Sequence, residues 1–144
     1  HEYFSTLKNS GADSLTFHAE TVQYPESVIK KIRGLGLGVG IAVNNKIGVE
    51  KISPYLDKVD IALVMTVEAG FGGQAFLPSA LDKVAVLRKE IDEQGLDCEI
   101  QVDGGINLET GKKCVKAGAD ILIAGSFIFK QESIPKAIQG LKKL

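Results

Sequence analysis

Apolar positions along the chain fall into two alternating rhythms. Short β-type runs lie at residues 14–20 (SLTFHAE), 39–43 (VGIAV), 59–67, 99–102 (EIQV) and 121–124 (ILIA). Between them, residues 2–10, 25–35, 79–94, 109–117 and 133–143 carry apolar side chains at every third or fourth position, the period of an amphipathic helix. The clearest helix is 79–94, where Leu81, Val84, Leu87 and Ile91 make one stripe. Glycines mark the helix ends (Gly11, Gly34, Gly36, Gly95), and Pro25 and Pro135 sit in first turns, the latter after Ser133 as candidate N-cap. Residues 49–55 read as a short helix interrupted by Pro54. The order is a leading helix followed by five strand-helix units, which predicts a parallel sheet covered by helices.

A repeated turn sharpens the fold class. Gly11-Ala12-Asp13 and Gly118-Ala119-Asp120 each precede a strand, and Val59-Asp60 occupies the same place before a third. Such repetition favours a (β/α) barrel of the TIM type over a doubly wound sheet. A closed barrel takes eight units and about 250 residues. Here a single domain over residues 1–144 holds about five, so three possibilities stand. The chain is a piece of a larger protein, a partner such as a second copy supplies strands, or the sheet is flavodoxin-like. An open barrel fragment would leave unpaired strand edges.

Composition removes several functions. With 17 Lys and Arg against 18 Asp and Glu, the net charge of −1 argues against bulk polyanion binding while leaving room for a local basic patch, and the absence of Trp removes a common stacking platform. No apolar run approaches membrane-spanning length and no signal peptide is visible, so a cytoplasmic location is expected. Cys98 and Cys114 lack metal-ligand spacing and are expected to be reduced thiols.

In parallel α/β folds, ligands bind beyond the carboxyl ends of the strands. Those positions hold His18 and Glu20, Asn44 and Asn45, residues 66–73, Asp103-Gly104-Gly105, and Gly125-Ser126. The stretch VMTVEAGFGGQ runs from a strand into Gly70, Phe71, Gly72 and Gly73, a loop able to present bare backbone N–H groups to an anion. Three glycine clusters on one rim predict a shared phosphate site. Asp103 reads as an Asp-Gly turn, as a general acid or base, or as a ligand for a hard cation; the phosphate rim favours the chemical readings. His18, without a second histidine at ligand distance, reads as a hydrogen-bonded rim residue. Glu68 is either a second carboxylate in the mouth or a brace for the glycine loop.

The segments VMTVEAGFGGQAF, EIQVDGGIN and GADILIAGSFIF resemble, in this order and spacing, the sixth to eighth strand-loop segments of the ribulose-phosphate 3-epimerase family. LTFHAE and GLGVGIAVN are similar to its fourth and fifth strands. The resemblance implies a (β/α)8 barrel that interconverts ribulose 5-phosphate and xylulose 5-phosphate in the pentose phosphate pathway by moving a proton at C3. It implies two aspartates that exchange acid and base roles, and a divalent metal (zinc, iron, manganese or cobalt) that steadies the enediolate. Asp103 then corresponds to a metal ligand and one proton carrier. Gly70, Phe71, Gly72, Gly73, Gly104, Gly105, Gly125 and Ser126 correspond to the phosphate loops, and Met65 to a methionine over the reacting centre.

The departures are specific. The family's serine, its two metal-ligating histidines and its other catalytic aspartate, all from the first three strands, have no counterpart in these residues. Ala69 stands where a proline is usual, and residues 44–48 lack the usual proline and threonine. One aspartate cannot serve both faces of a substrate, so this chain by itself is expected not to epimerise at a family-like rate. Two neighbouring readings are an epimerase for a hexulose 6-phosphate and a partial barrel that binds a sugar phosphate without chemistry.

Overall fold

The computed structural model describes residues 3–68 and 74–144. Five strands, β1 (Ser14–His18), β2 (Gly38–Val43), β3 (Ile61–Met65), β4 (Glu99–Asp103) and β5 (Ile121–Ile123), form one sheet in the order β1-β2-β3-β4-β5. Every pairing is parallel. The helices are α1 (Phe4–Asn9), α2 (Pro25–Gly34), α3 (Ala80–Gln94), α4 (Leu108–Ala117), α5 (Ser126–Phe129) and α6 (Ile134–Leu141). Each strand lies beside its predecessor in sequence. A flavodoxin-like sheet reverses its order partway, so this arrangement is the winding of a barrel wall.

The register separates two faces. Ile41, Ala62 and Ile100 form one cross-strand row, and Val43, Val64, Val102 and Leu122 another; both pack with helix residues such as Ile32, Val84, Leu87 and Ile91 in the main core. The alternate rows, Ala42-Leu63-Gln101-Ile121 and Met65-Asp103-Ile123, face the other way. That inward face holds the sequence-predicted site residues Met65 and Asp103, while the helix-facing rows supply the burial.

Element ends depart from the sequence rhythm for local reasons. Beyond His18 the backbone turns into a 3-10 segment, Ala19–Thr21, closed by the Thr21 hydroxyl donating to the His18 carbonyl at 2.7 Å, so β1 stops before Glu20. The short helix expected at 49–55 is two 3-10 turns, Val49–Lys51 and Ser53–Tyr55; Pro54 has no N–H to continue an α-helical ladder. Helix α4 starts at Leu108 because Asn107 caps it, its side chain accepting from Glu109 N and Thr110 N while Thr110 answers the Asn107 N–H. Ser133 holds the N-cap position of α6 without a side-chain cap bond. α5, directly after Gly125, has no counterpart in the sequence reading.

Candidate functional site

Asp103 ends β4 on the inward face, with Met65 and Ile123 as its register partners on either side. Its carboxylate has no hydrogen-bond or ion-pair partner among the described residues. Burial pushes its carboxyl above the usual range, since the charged form loses water without gaining a counter-charge. A carboxylate with raised basicity is a better proton acceptor than a free one.

The turn after Asp103 is held by two threonines. Thr66, fully buried, donates its N–H to the Asp103 carbonyl at 2.8 Å and its hydroxyl to the Gly104 carbonyl at 2.5 Å. The Thr110 hydroxyl donates to the Gly105 carbonyl at 2.8 Å. Both glycine carbonyls are thereby occupied, while the N–H groups of Gly104 and Gly105 have no acceptor among the described residues. Both glycines have positive φ, +121° and +64°. A Cβ at Gly104 would come within 2.5 Å of Val67, and one at Gly105 within 2.9 Å of the Phe76 backbone nitrogen, so only glycine fits either place.

Gly105 lines an open cleft of about 370 Å³ together with Ser126, Gln74, Thr110 and Lys130. The structure thus brings residues of two of the expected phosphate clusters, Gly105 and Ser126, to one cleft, with Gln74, which follows the third, also lining it. Gly70, Phe71, Gly72 and Gly73 lie outside the described residues. A Cβ on Gly125 would meet nothing within 4 Å. A larger cleft of about 750 Å³ lies between the start of α2 and Tyr55, remote in the chain from the strand ends that carry Asp103 and Ser126.

The other side of the mouth is a polar brace. His18 Nδ1 lies 3.2 Å from Glu20, which also meets Asn44. Burial would raise the Glu20 carboxyl, but its own backbone N–H, Asn44 and His18 together hold it below the usual range. Glu68 accepts from Asn45 Nδ2 at 3.1 Å and pairs with Lys46 at 3.5 Å, while its backbone carbonyl accepts from Gln74 at 2.8 Å. Under the loop, Lys83 of α3 donates to the carbonyls of Asn44 (2.9 Å), Asn45 (2.6 Å) and Ile47. Burial lowers the Lys83 ammonium below its usual range.

Of the sequence-predicted residues, Asp103 and Met65 lie side by side on the inward face and Gly105 and Ser126 line one cleft; Thr110 and Lys83, which fasten the surrounding loops, had no place in the sequence reading. Asn107-x-x-Thr110 ahead of a helix was the available signal for the first. Nothing marked Lys83, which lies off the apolar stripe of α3. Among the described residues no three His, Cys, Asp or Glu side chains gather to hold a metal ion. A complete metal centre therefore does not fit the described residues; Asp103 offers one oxygen ligand.

This combination of a sequentially wound parallel sheet with an inward aspartate and glycines at the carboxyl ends of its strands is that of a (β/α) barrel wall. The sequence model of the ribulose-phosphate 3 epimerase family matches residues 1–129, and the chain belongs to that family. It is 42% identical over 131 residues to the ribulose-phosphate 3-epimerase of Methanocaldococcus jannaschii, covering 91% of this chain and 56% of that one. The Schizosaccharomyces pombe ribulose-phosphate 3-epimerase is 39% identical over 140 residues, with coverages of 97% and 60%. The Escherichia coli K12 enzyme of the same name is 36% identical over 133 residues, with coverages of 92% and 59%. The chain thus spans 56% to 60% of the length of these relatives. Among solved structures it resembles a 3-hexulose-6-phosphate synthase at TM-score 0.70 and 18% identity, covering 99% of this chain and 66% of that one. It also resembles the Pyrococcus furiosus thiamine phosphate pyrophosphorylase at TM-score 0.67 and 23% identity, covering 97% and 62%. These two likenesses speak to the fold alone. No helix among the described residues is long and apolar enough to cross a membrane.

Proposed function

We propose that this chain is the phosphate-gripping and single-aspartate part of a cytoplasmic ribulose-phosphate 3-epimerase, acting on ribulose 5-phosphate and xylulose 5-phosphate. The observation that carries the reading is the continuity of Asp103 with Gly104-Gly105. One short turn sets an unpaired, basic carboxylate on the inward face and, directly beside it, two glycines whose carbonyls are occupied and whose N–H groups are not. The glycine amides, with Ser126 and Gln74 across the cleft, suit a phosphate group. A sugar chain extending from there along the inward face passes Met65 toward Asp103, which takes or returns one proton at C3. Met65 presents an apolar, polarisable surface beside the reacting carbon and keeps water from it. Where a divalent cation binds, it supplies charge stabilisation to the oxygens next to C3.

Asp103 is the strand-borne carboxylate at this end of the inward face among the described residues, and one carboxylate serves one face of the carbon. A second proton carrier comes from elsewhere in the intact protein or from a partner. In the intact protein, Asp103→Asn is expected to slow exchange of the C3 hydrogen of ribulose 5-phosphate with solvent deuterium by about 10²- to 10⁴-fold. Affinity for the sugar phosphate should change little. Normal exchange in that variant, followed by NMR, would remove Asp103 from the chemistry. The single carboxylate also favours a second reading, that these 144 residues alone bind a sugar phosphate without turning it over. Calorimetric titration of the chain with ribulose 5-phosphate, beside a turnover assay, distinguishes the two.

A further inference from the structure

Two turns that lead into strands carry one and the same clamp. Asp60, one residue before β3, donates its N–H to the Val39 carbonyl at 2.8 Å and accepts the Val39 N–H on Oδ2 at 2.7 Å. Val39 is the second residue of β2, the neighbouring strand. The other Asp60 oxygen takes Arg33 at 2.8 Å, from α2, the helix leading into β2. Asp120, one residue before β5, repeats this with Ile100, the second residue of β4: N–H to carbonyl at 2.9 Å, and amide to Oδ2 at 2.8 Å. Its arginine is Arg88, from α3, which leads into β4; it reaches the same Oδ2 at 3.1 Å, where Arg33 takes the second oxygen of Asp60. Each aspartate fastens the strand before its own and, through the arginine, that strand's helix.

Asp13, one residue before β1, is the third member. Its carbonyl accepts from Gly38, the first residue of β2, at 2.9 Å, just as the Asp60 carbonyl accepts from Glu99, the first residue of β4, at 2.9 Å. The backbone is therefore set in the same relation to the strand that follows. On the preceding side it differs: neither the Asp13 N–H nor its exposed carboxylate has a partner among the described residues, and β1 forms the edge of the sheet.

We propose that Asp13 is an open clamp for a parallel strand on the outer edge of β1, preceded by an arginine-bearing helix, both supplied by the same protein. Three observations select this occupant. Both filled clamps hold a parallel neighbour and its helix, not a bare strand. This chain spans only 56% to 60% of its relatives' length, which leaves room for further units. A second copy does not supply this occupant, because the helix that leads into its β1 is α1, Phe4–Asn9, which carries no arginine.

The test compares Asp13→Ala with Asp60→Ala and Asp120→Ala in the intact protein and in the 144-residue chain. In the intact protein all three are expected to lower the melting temperature alike, by about 3–8 °C. In the chain alone Asp13→Ala should move it by less than about 1 °C while Asp60→Ala keeps its effect. Hydrogen exchange gives a second measure that does not require Asp60→Ala to fold: Asp13→Ala should deprotect one amide, at the second residue of the strand beside β1. An Asp13→Ala variant as stable as the parent, with that amide still protected, overturns the proposal. A loss in the 144-residue chain that grows with dilution points to a second copy and equally overturns it.

Discussion

Gly105 shows how narrowly the site is cut. Its φ of +64° disfavours any side chain, and the 2.9 Å that would separate a new Cβ from the Phe76 backbone nitrogen leaves nothing flexible to yield. Gly105→Ala is expected to cost about 1–3 kcal/mol in urea unfolding. Gly95, at φ +62° with nothing within 4 Å of its Cβ position, is the matched control for conformation without crowding and should cost less. Asp103 makes a prediction of opposite sign. Above its raised pKa the folded state holds a charge partly out of water, and the full penalty is present. As pH falls through that value the proton returns and the penalty fades, and below the ordinary aspartate value of 3.8 it is gone. Asp103→Asn should therefore raise the melting temperature at neutral pH, with a gain that shrinks toward about pH 4. A gain unchanged across that range would trace to something other than the buried charge. An aspartate at the end of an apolar strand, before two glycines, was readable from sequence. The threonines that fix those glycines come from 38 residues earlier and 5 later, and their hydroxyls gave no periodic signal.

At the scale of elements, helix periodicity was read well where burial alone sets it. Ala80, Val84, Leu87 and Ile91 of α3 are all buried, and the stripe shifts only in taking Ala80 fully inside while Leu81 stays at the margin. The polar side of the same helix carries a contact that periodicity does not signal. Lys83 meets three carbonyls of the loop after β2, matching the three donors of an ammonium group to three acceptors. Lys83→Met keeps the stem but strands those carbonyls, and is expected to lower stability by about 1–3 kcal/mol. Amide exchange across residues 44–48 should accelerate more than across β2; equal acceleration would mean that Lys83 does not hold the loop. Lys83→Arg, whose planar fork cannot converge on the three carbonyls, should fall between parent and Met.

Across the whole molecule, the rhythm of strands and helices announced a parallel sheet but not the order of its strands. A reversed and a sequential sheet share the same alternation, since both join neighbouring parallel strands through helical crossovers. The order is visible only in who pairs with whom, and the repeated aspartate before three strands was its faint trace in sequence. The two sides of the sheet end differently. At β1 stands the open Asp13 position; toward β5, Phe129, Ile134, Ile138 and Leu108 remain exposed and only Ala137 of α6 is buried. Cys98, just before β4, and Cys114, in α4, are buried thiols pushed up to about 11 by that burial, which makes them poor nucleophiles.

The sequential winding has a consequence for biosynthesis. From β2 onward, each strand emerging from the ribosome finds its template in the strand made just before it, already screened by the intervening helix. Pairing can then advance with translation, unit by unit, without waiting for a distant segment. If the strand that Asp13 would hold is made before β1, the first step of assembly, rather than the last, decides whether this sheet grows on a prepared surface.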